Sequence, residues 1–215
     1  MKIQADALLF DNDGTLISSI ESVHRCWTRW AGEYGITAEA FAAVELHGRP
    51  AVDIVSDLLP AEQVAEAVAR IDDLEVSDVA GGVVALPGTL RLLASVPPER
   101  WAVVTSATRR LAEARLAEVG IRPKLLIAAD DITRGKPDPE PFLLAAERLG
   151  ADPARCVVFE DAPAGLAAGR AAGMTTVALT TTHAAAELSA DVVVKDLSAV
   201  SAQATAGGVE IVTGA

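Results

Sequence analysis

Asp11 and Asp13 stand two residues apart in Phe10-Asp11-Asn12-Asp13-Gly14-Thr15-Leu16, directly after the apolar run Ala7-Leu8-Leu9-Phe10. One such carboxylate can attack an electrophile while the other handles a proton, and together they can hold a hard cation. Gly14 lets the backbone turn away sharply after the pair. Three more polar clusters recur further on. Thr105-Ser106 closes an apolar run, Lys136 sits in Gly135-Lys136-Pro137-Asp138-Pro139, and Glu160-Asp161 closes Val157-Val158-Phe159. Taken singly, each has a duller reading. Asn-Asp-Gly and Gly-Lys-Pro are common turn chemistry, hydroxyls cap helices, and acids favour helix starts. A calcium loop starting at Asp11 is excluded, because Leu16 falls where Gly is needed and Ser22 where Glu is needed.

The elements that must carry these clusters alternate in kind. Strands are expected at 7–10, 101–105, 125–128, 156–159, 176–179 and 192–194, with helices near 107–119, 139–149 and 163–172 between the later ones. Residues 1–4 lead straight into the first strand, and 209–212 reads as a short edge strand. Between 19 and about 80 the apolar spacing is helical throughout, in segments near 20–34, 38–46, 51–59 and 61–76. Strands alternating with helices imply a parallel sheet with right-handed crossovers. The expected fold is therefore α/β, a Rossmann-like doubly wound parallel sheet with an inserted α-helical cap. The core would take 1–18 and 84–215, and the cap 19–83. All four polar clusters would then converge on one carboxyl edge of the sheet, where open α/β folds bind ligands.

Bulk properties narrow the partners. A length of 215 residues suits one sizeable domain or a core with an insertion, and a net charge of −12 argues against nucleic acid and anionic membranes. An anionic substrate would need a local cation with a few Lys or Arg. No stretch reads as a signal peptide or a membrane span. Cys26 and Cys156 lie far apart in apolar surroundings and read as reduced, buried thiols, which points to the cytoplasm. Nothing demands more than a monomer or a weak homo-oligomer. Gly165, Gly169 and Gly173 are spaced for close helix packing, and His24 and His183 read as surface or rim residues.

The four clusters, in this order, resemble the motifs of the haloacid dehalogenase superfamily. The resemblance implies that Asp11 is a nucleophile that forms an aspartyl-phosphate, and Asp13 a general acid/base whose backbone carbonyl also faces a metal. Thr105 and Lys136 would hold the transferring group, with backbone N–H groups of Ser106 or Asn12. It further implies Mg²⁺ held by Asp11, Asp13 and Asp161 with Glu160 in support. The runs at 100–106, 135–141 and 157–165, with Trp27 and His47-Gly48, are similar to the glycerol-3-phosphatase and 2-deoxyglucose-6-phosphate phosphatase branch. Here Arg49 follows Gly48 immediately, whereas those relatives place an Arg one residue later. His47, Gly48 and Arg49 are the expected substrate-reading residues of the cap. What the resemblance implies is a Mg²⁺-dependent phosphatase for small sugar or polyol phosphates. A β-phosphoglucomutase-like mutase and a non-catalytic phosphometabolite-binding domain stay open. Dehalogenase and phosphonatase chemistry fit less well, given Asp13 and the lack of lysine between Lys2 and Lys124.

Overall fold

The computed structural model describes residues 1–44, 46 and 49–214. Its centre is a six-stranded parallel sheet in the order β6-β5-β2-β7-β8-β9. These strands are β2 (Ala7–Phe10), β5 (Trp101–Val104), β6 (Leu126–Ile127), β7 (Cys156–Glu160), β8 (Thr175–Leu179) and β9 (Val192–Val194). All neighbouring pairs run parallel, as the alternation of apolar runs and helices predicts. The residues of β2, β5 and β7 are buried on both faces, which is why they read as unbroken apolar runs.

One face of the sheet packs Leu8, Phe10, Val103 and Phe159 against helices α5 (Thr89–Ala94) and α6 (Arg109–Glu118). The other packs Leu9, Val104 and Val158 against α7 (Glu140–Leu149) and α8 (Pro163–Ala171). Helices on both faces make this a doubly wound core. From β2 the chain lays β5 and β6 to one side and β7, β8 and β9 to the other. The end of β2, where Asp11 stands, is thus the point at which strand order reverses.

The expected long helical insertion is present as α1 (Ile20–Glu33), α2 (Ala38–Ala42), α3 (Ala51–Leu58) and α4 (Ala61–Ser77). It has its own apolar centre around Trp27, Trp30, Ile54, Val55 and Ile71. Trp30 is fully buried and donates its indole N–H to the Ala67 carbonyl at 2.9 Å, so its polar edge is satisfied inside. The second helix ends at Ala42, short of the expected 46. The two ends of the insertion are tied by a feature that periodicity did not suggest, a two-stranded antiparallel ribbon of β3 (Ile17–Ser18) and β4 (Val84–Ala85).

A second departure lies at the termini. Residues 2–5 form their own strand, β1 (Lys2–Ala5), separate from β2. It joins β10 (Val200–Thr205) and β11 (Gly208–Thr213) in a three-stranded antiparallel sheet ordered β1-β11-β10. The stretch expected as an edge strand near 209–212 is therefore the central one. A two-residue loop, Ala206-Gly207, closes the β10–β11 hairpin, and Lys2 and Gln4 both donate to Glu210.

Candidate active site

Register brings the polar clusters together. Phe10 pairs with Val103 on one side and Phe159 on the other, and the Phe10 and Phe159 rings stack at 4.7 Å. The next residues along, Asp11, Thr105 and Glu160-Asp161, consequently leave the sheet at one level. Lys136 reaches the same point from the segment before α7. Its ammonium donates to Asp11 Oδ1 at 2.6 Å, Glu160 Oε1 at 2.7 Å and the Val104 carbonyl at 3.0 Å. Asp11, Glu160, Asp161 and Lys136 are all buried.

Three buried carboxylates face one ammonium there, and this sets the electrostatics. Burial pushes the Asp11 carboxyl well above its ordinary range against the pull of Lys136, with Glu160 and Asp161 adding repulsion. Asp161 is raised to about 7 by burial and by Glu160, opposed by hydroxyls from Thr182 and Thr15. Burial alone would lower Lys136, but Asp11 and Glu160 hold its pKa above that of a free lysine, so it stays charged. Oxygens of Asp11, Glu160 and Asp161 all lie within 4.8 Å of one another. A buried all-oxygen set with surplus negative charge fits a hard divalent cation.

The neighbours of these groups assign further parts. Glu160 is committed inward, with Oε1 taken by Lys136 and Oε2 accepting from the backbone N–H groups of Asp161 and Ala162 at 3.0 Å each. Asp161 is held from two sides, by Thr15 Oγ1 at 3.1 Å and by the Thr182 hydroxyl. Gly14 is required beside it: its φ is +88°, and a Cβ there would lie 2.2 Å from Asp161 Oδ2. Gly165 plays a similar part, since a Cβ would fall 1.7 Å from Glu160 Oε1. Its smallness thus makes room for a carboxylate, whereas Gly169 faces Thr176 and Val158 in the helix–sheet packing read from the spacing.

Asp13 is partly exposed. Its Oδ1 accepts from Ser19 Oγ at 2.6 Å and Arg115 Nη1 at 3.0 Å, and its Oδ2 from Asn12 Nδ2 at 3.1 Å. Asn12 is fully buried beside it, with its carbonyl accepting from Thr15, Leu16 and Ile17 in the turn. Thr105 Oγ1 accepts from the Ala107 N–H at 3.1 Å. His183 lies nearer the acids than a rim residue need, its Nδ1 3.0 Å from the Asp161 carbonyl.

A cavity of ≈300 Å³ opens over this edge, between sheet and inserted helices. Asp11, Asp13, Thr105 and Ser106 line its floor. Val23, Trp27, Ile54 and Val68 supply apolar wall, and Asp72, Glu75 and Asp130 add acids. Arg49 lines it as well, with Nη2 donating to Asp57 Oδ2 at 2.7 Å. His47 and Gly48, the other two expected cap residues, lie outside the described residues. Sequence reasoning missed Arg115, Glu75, Ser19, Thr15 and Thr182. Arg115 carried a signal: it shares the helix face of Leu111, Ala112 and Leu116, where a charge needs a partner.

Known proteins of related sequence and shape bear on the site. The family model described as haloacid dehalogenase-like hydrolase matches residues 5–173. Hexitol phosphatase A of Escherichia coli is 37% identical over 186 residues, covering 82% of this chain and 84% of its own. Validoxylamine A 7'-phosphate phosphatase of Streptomyces hygroscopicus subsp. limoneus is 38% identical over 200 residues, covering 89% and 94%. Glycerol-1-phosphate phosphohydrolase 2 of Saccharomyces cerevisiae is 35% identical, covering 85% and 77%. Among solved structures, a hydrolase from Pseudomonas syringae superposes with a TM-score of 0.80 at 26% identity, over 90% of this chain and 94% of that one.

Proposed function

Because the chain belongs to the haloacid dehalogenase-like hydrolases, we propose that it is a phosphoric monoester hydrolase that cleaves small sugar or polyol phosphates with Mg²⁺. The observation that carries this reading is that Asp11 and Asp13 line one cavity, with Lys136 and two further buried acids packed behind Asp11. The relatives named above as phosphatases of hexitol, glycerol and validoxylamine phosphates support the substrate class.

A carboxylate oxygen of Asp11 attacks phosphorus, the ester P–O bond breaks, and Asp13 gives its proton to the departing sugar oxygen. Water then attacks the phosphorus of the aspartyl-phosphate and passes a proton to Asp13, and the P–O bond to Asp11 breaks. Thr105 and the Ser106 and Asn12 N–H groups hold the phosphoryl oxygens, where fixed donors stabilise developing charge, while Lys136 holds the Asp11 carboxylate from behind. Asp11, Asp161 and the Asp13 carbonyl would hold Mg²⁺, with Glu160 supporting through Lys136. When bound, the cation supplies charge neutralisation between the attacking carboxylate and the phosphate.

Residues 1–18 and 84–215 act as the catalytic core and 19–83 as a cap that shields the reaction from water. Among the described residues, both cationic side chains lining the cavity are engaged by carboxylates, Arg49 by Asp57 and Arg115 by Asp13 and Glu75. The leaving group that suits such a wall is neutral and hydroxylated, with C–H faces for Trp27 and Ile54, not a second phosphate or a carboxylate. No described helix is long and apolar enough to cross a membrane. The free, buried Cys26 and Cys156 are in keeping with a reducing cytoplasm. The test is phosphate release from a panel of sugar, polyol, carboxylated and bisphosphorylated substrates, with Mg²⁺ and with EDTA. The reading requires cation-dependent turnover that favours neutral polyol phosphates by kcat/KM. Preference for the acids, or turnover indifferent to EDTA, would contradict it.

A further inference from the structure

Arg115 occupies a position where its helix face calls for an apolar side chain, and it is only 4% exposed. Its guanidinium is held between carboxylates from two distant parts of the chain. Nη1 donates to Asp13 Oδ1 at 3.0 Å, and Nη2 donates to Glu75 Oε1 at 2.9 Å. Glu75 comes from α4 of the insertion and is itself buried, whereas Asp13 belongs to the turn after β2. Removing Arg115 and Glu75 from water is a poor way to gain stability, since an apolar residue would fill the same stripe. The arrangement makes better sense as a device for orientation. Arg115 also lines the cavity beside Asp13, and its Nε–H has no acceptor among the described residues.

We infer that Arg115 is a positioning residue that couples the seating of the inserted helices to the placement of the Asp13 carboxylate. The inference rests on the phosphatase reading, in which Asp13 protonates the leaving oxygen. Ser19 and Arg115 fix Asp13 Oδ1, and Asn12 fixes Oδ2. Asn12 adjoins Asp13 in the core turn, and Ser19 lies six residues on, at the hinge where the insertion begins, so neither reports where the body of the inserted helices sits. Arg115 is different, because Glu75 anchors its other end only while α4 rests against α6. With α4 in place, the guanidinium is a rigid fork between cap and proton carrier. With α4 displaced, that anchor is gone, and Asp13 is aligned for proton transfer only beneath a covered cavity.

The test compares kcat/KM for two substrates that differ in their need for a proton. Glycerol phosphate expels an alkoxide that Asp13 must protonate, whereas p-nitrophenyl phosphate expels a stable phenolate. Because kcat/KM covers the steps up to transfer onto Asp11, it isolates the departure of the leaving group. Arg115→Met and Glu75→Ala, which misalign Asp13 without removing it, are expected to lower kcat/KM for glycerol phosphate by about tenfold to a hundredfold, up to the low end of a full general-acid contribution. The loss on p-nitrophenyl phosphate is expected to be about tenfold smaller. Glu75→Gln, which keeps an acceptor for Arg115, is expected to recover most of the glycerol phosphate activity. Equal losses on both substrates would mark a merely structural role and overturn the inference, as would unchanged glycerol phosphate turnover. If Arg115→Met does not fold, the Glu75→Ala and Glu75→Gln pair decides by the same comparison. Absence of phosphate release from either substrate by the wild-type protein with Mg²⁺ would instead overturn the phosphatase reading, and this inference with it.

Discussion

Gly165→Ala offers a sharp test of how the site is built, because the local and tertiary expectations have opposite signs. Gly165 lies inside α8, where Gly-to-Ala exchange normally stabilises a helix by about 1 kcal/mol. Here the added methyl would sit 1.7 Å from Glu160 Oε1 and 2.0 Å from its carboxyl carbon. A flexible, exposed glutamate would swing away at little cost. Glu160 is fully buried and committed to Lys136 and to two backbone N–H groups, so moving it breaks a buried ion pair. Breaking such a pair costs about 3–5 kcal/mol. Set against the helix gain, the net destabilisation is about 2–4 kcal/mol, which lowers Tm by roughly 4–16 °C in a chain of this size. Because Lys136 then loses one of its two carboxylates, phosphate release is expected to fall as well. Thermal melts of wild type and variant, with turnover on glycerol phosphate, measure both effects. A Tm equal to or above wild type with activity intact would refute the reasoning.

Two further expectations follow from the acid cluster. Burial and Glu160 raise Asp161 to about 7, and a cation needs that carboxylate ionised. Mg²⁺ affinity is therefore expected to fall by up to about tenfold per pH unit below 7 and to level off above it. In the cation-free protein the sign is reversed: the raised carboxyl favours the folded state at low pH, and that contribution is lost as pH rises through about 7. Added Mg²⁺ should thus raise Tm more at pH 8 than at pH 5, and an equal rise at both would contradict this. Thr15→Val removes a hydroxyl that donates to Asp161 Oδ1 at 3.1 Å. Hydrogen bonds to charged groups contribute about 1.5–3 kcal/mol, so Mg²⁺ binding is expected to weaken by roughly tenfold or more by calorimetry, and unchanged affinity would count against the assigned role.

The parts of this molecule that were legible in its sequence are those where burial is total. Ala7–Phe10 and 156–159 run through the sheet centre covered on both faces, so they had to be apolar, and the polar residues that follow them stood out. The core acids were readable for the same reason, whereas Lys136, in the turn-like Gly-Lys-Pro, was readable only through the resemblance of the ordered motifs. The three-stranded sheet of β1, β10 and β11 was not, because β10 is mostly exposed and its sequence, Val-Ser-Ala-Gln-Ala-Thr, carries no strong pattern. Its pairing depends on a hairpin turn and on Glu210 meeting Lys2 and Gln4 across the whole length of the chain. Arg115 and Glu75 escaped notice through a related limit. Arg115 sits on an apolar helix stripe, which was a signal, but Glu75 is an ordinary charged helix residue until the folded chain shows that both are buried and turned to each other.

The claim on which the rest depends is that Asp11 carries the phosphoryl group during turnover. Acid quenching in the first turnover with glycerol phosphate and Mg²⁺, followed by peptide mass spectrometry, reads this directly. The account predicts a hydroxylamine-labile phosphoryl adduct on the peptide containing Asp11 and neither adduct nor turnover in Asp11→Asn. Phosphate release with no covalent adduct, and with turnover persisting in Asp11→Asn, would contradict it.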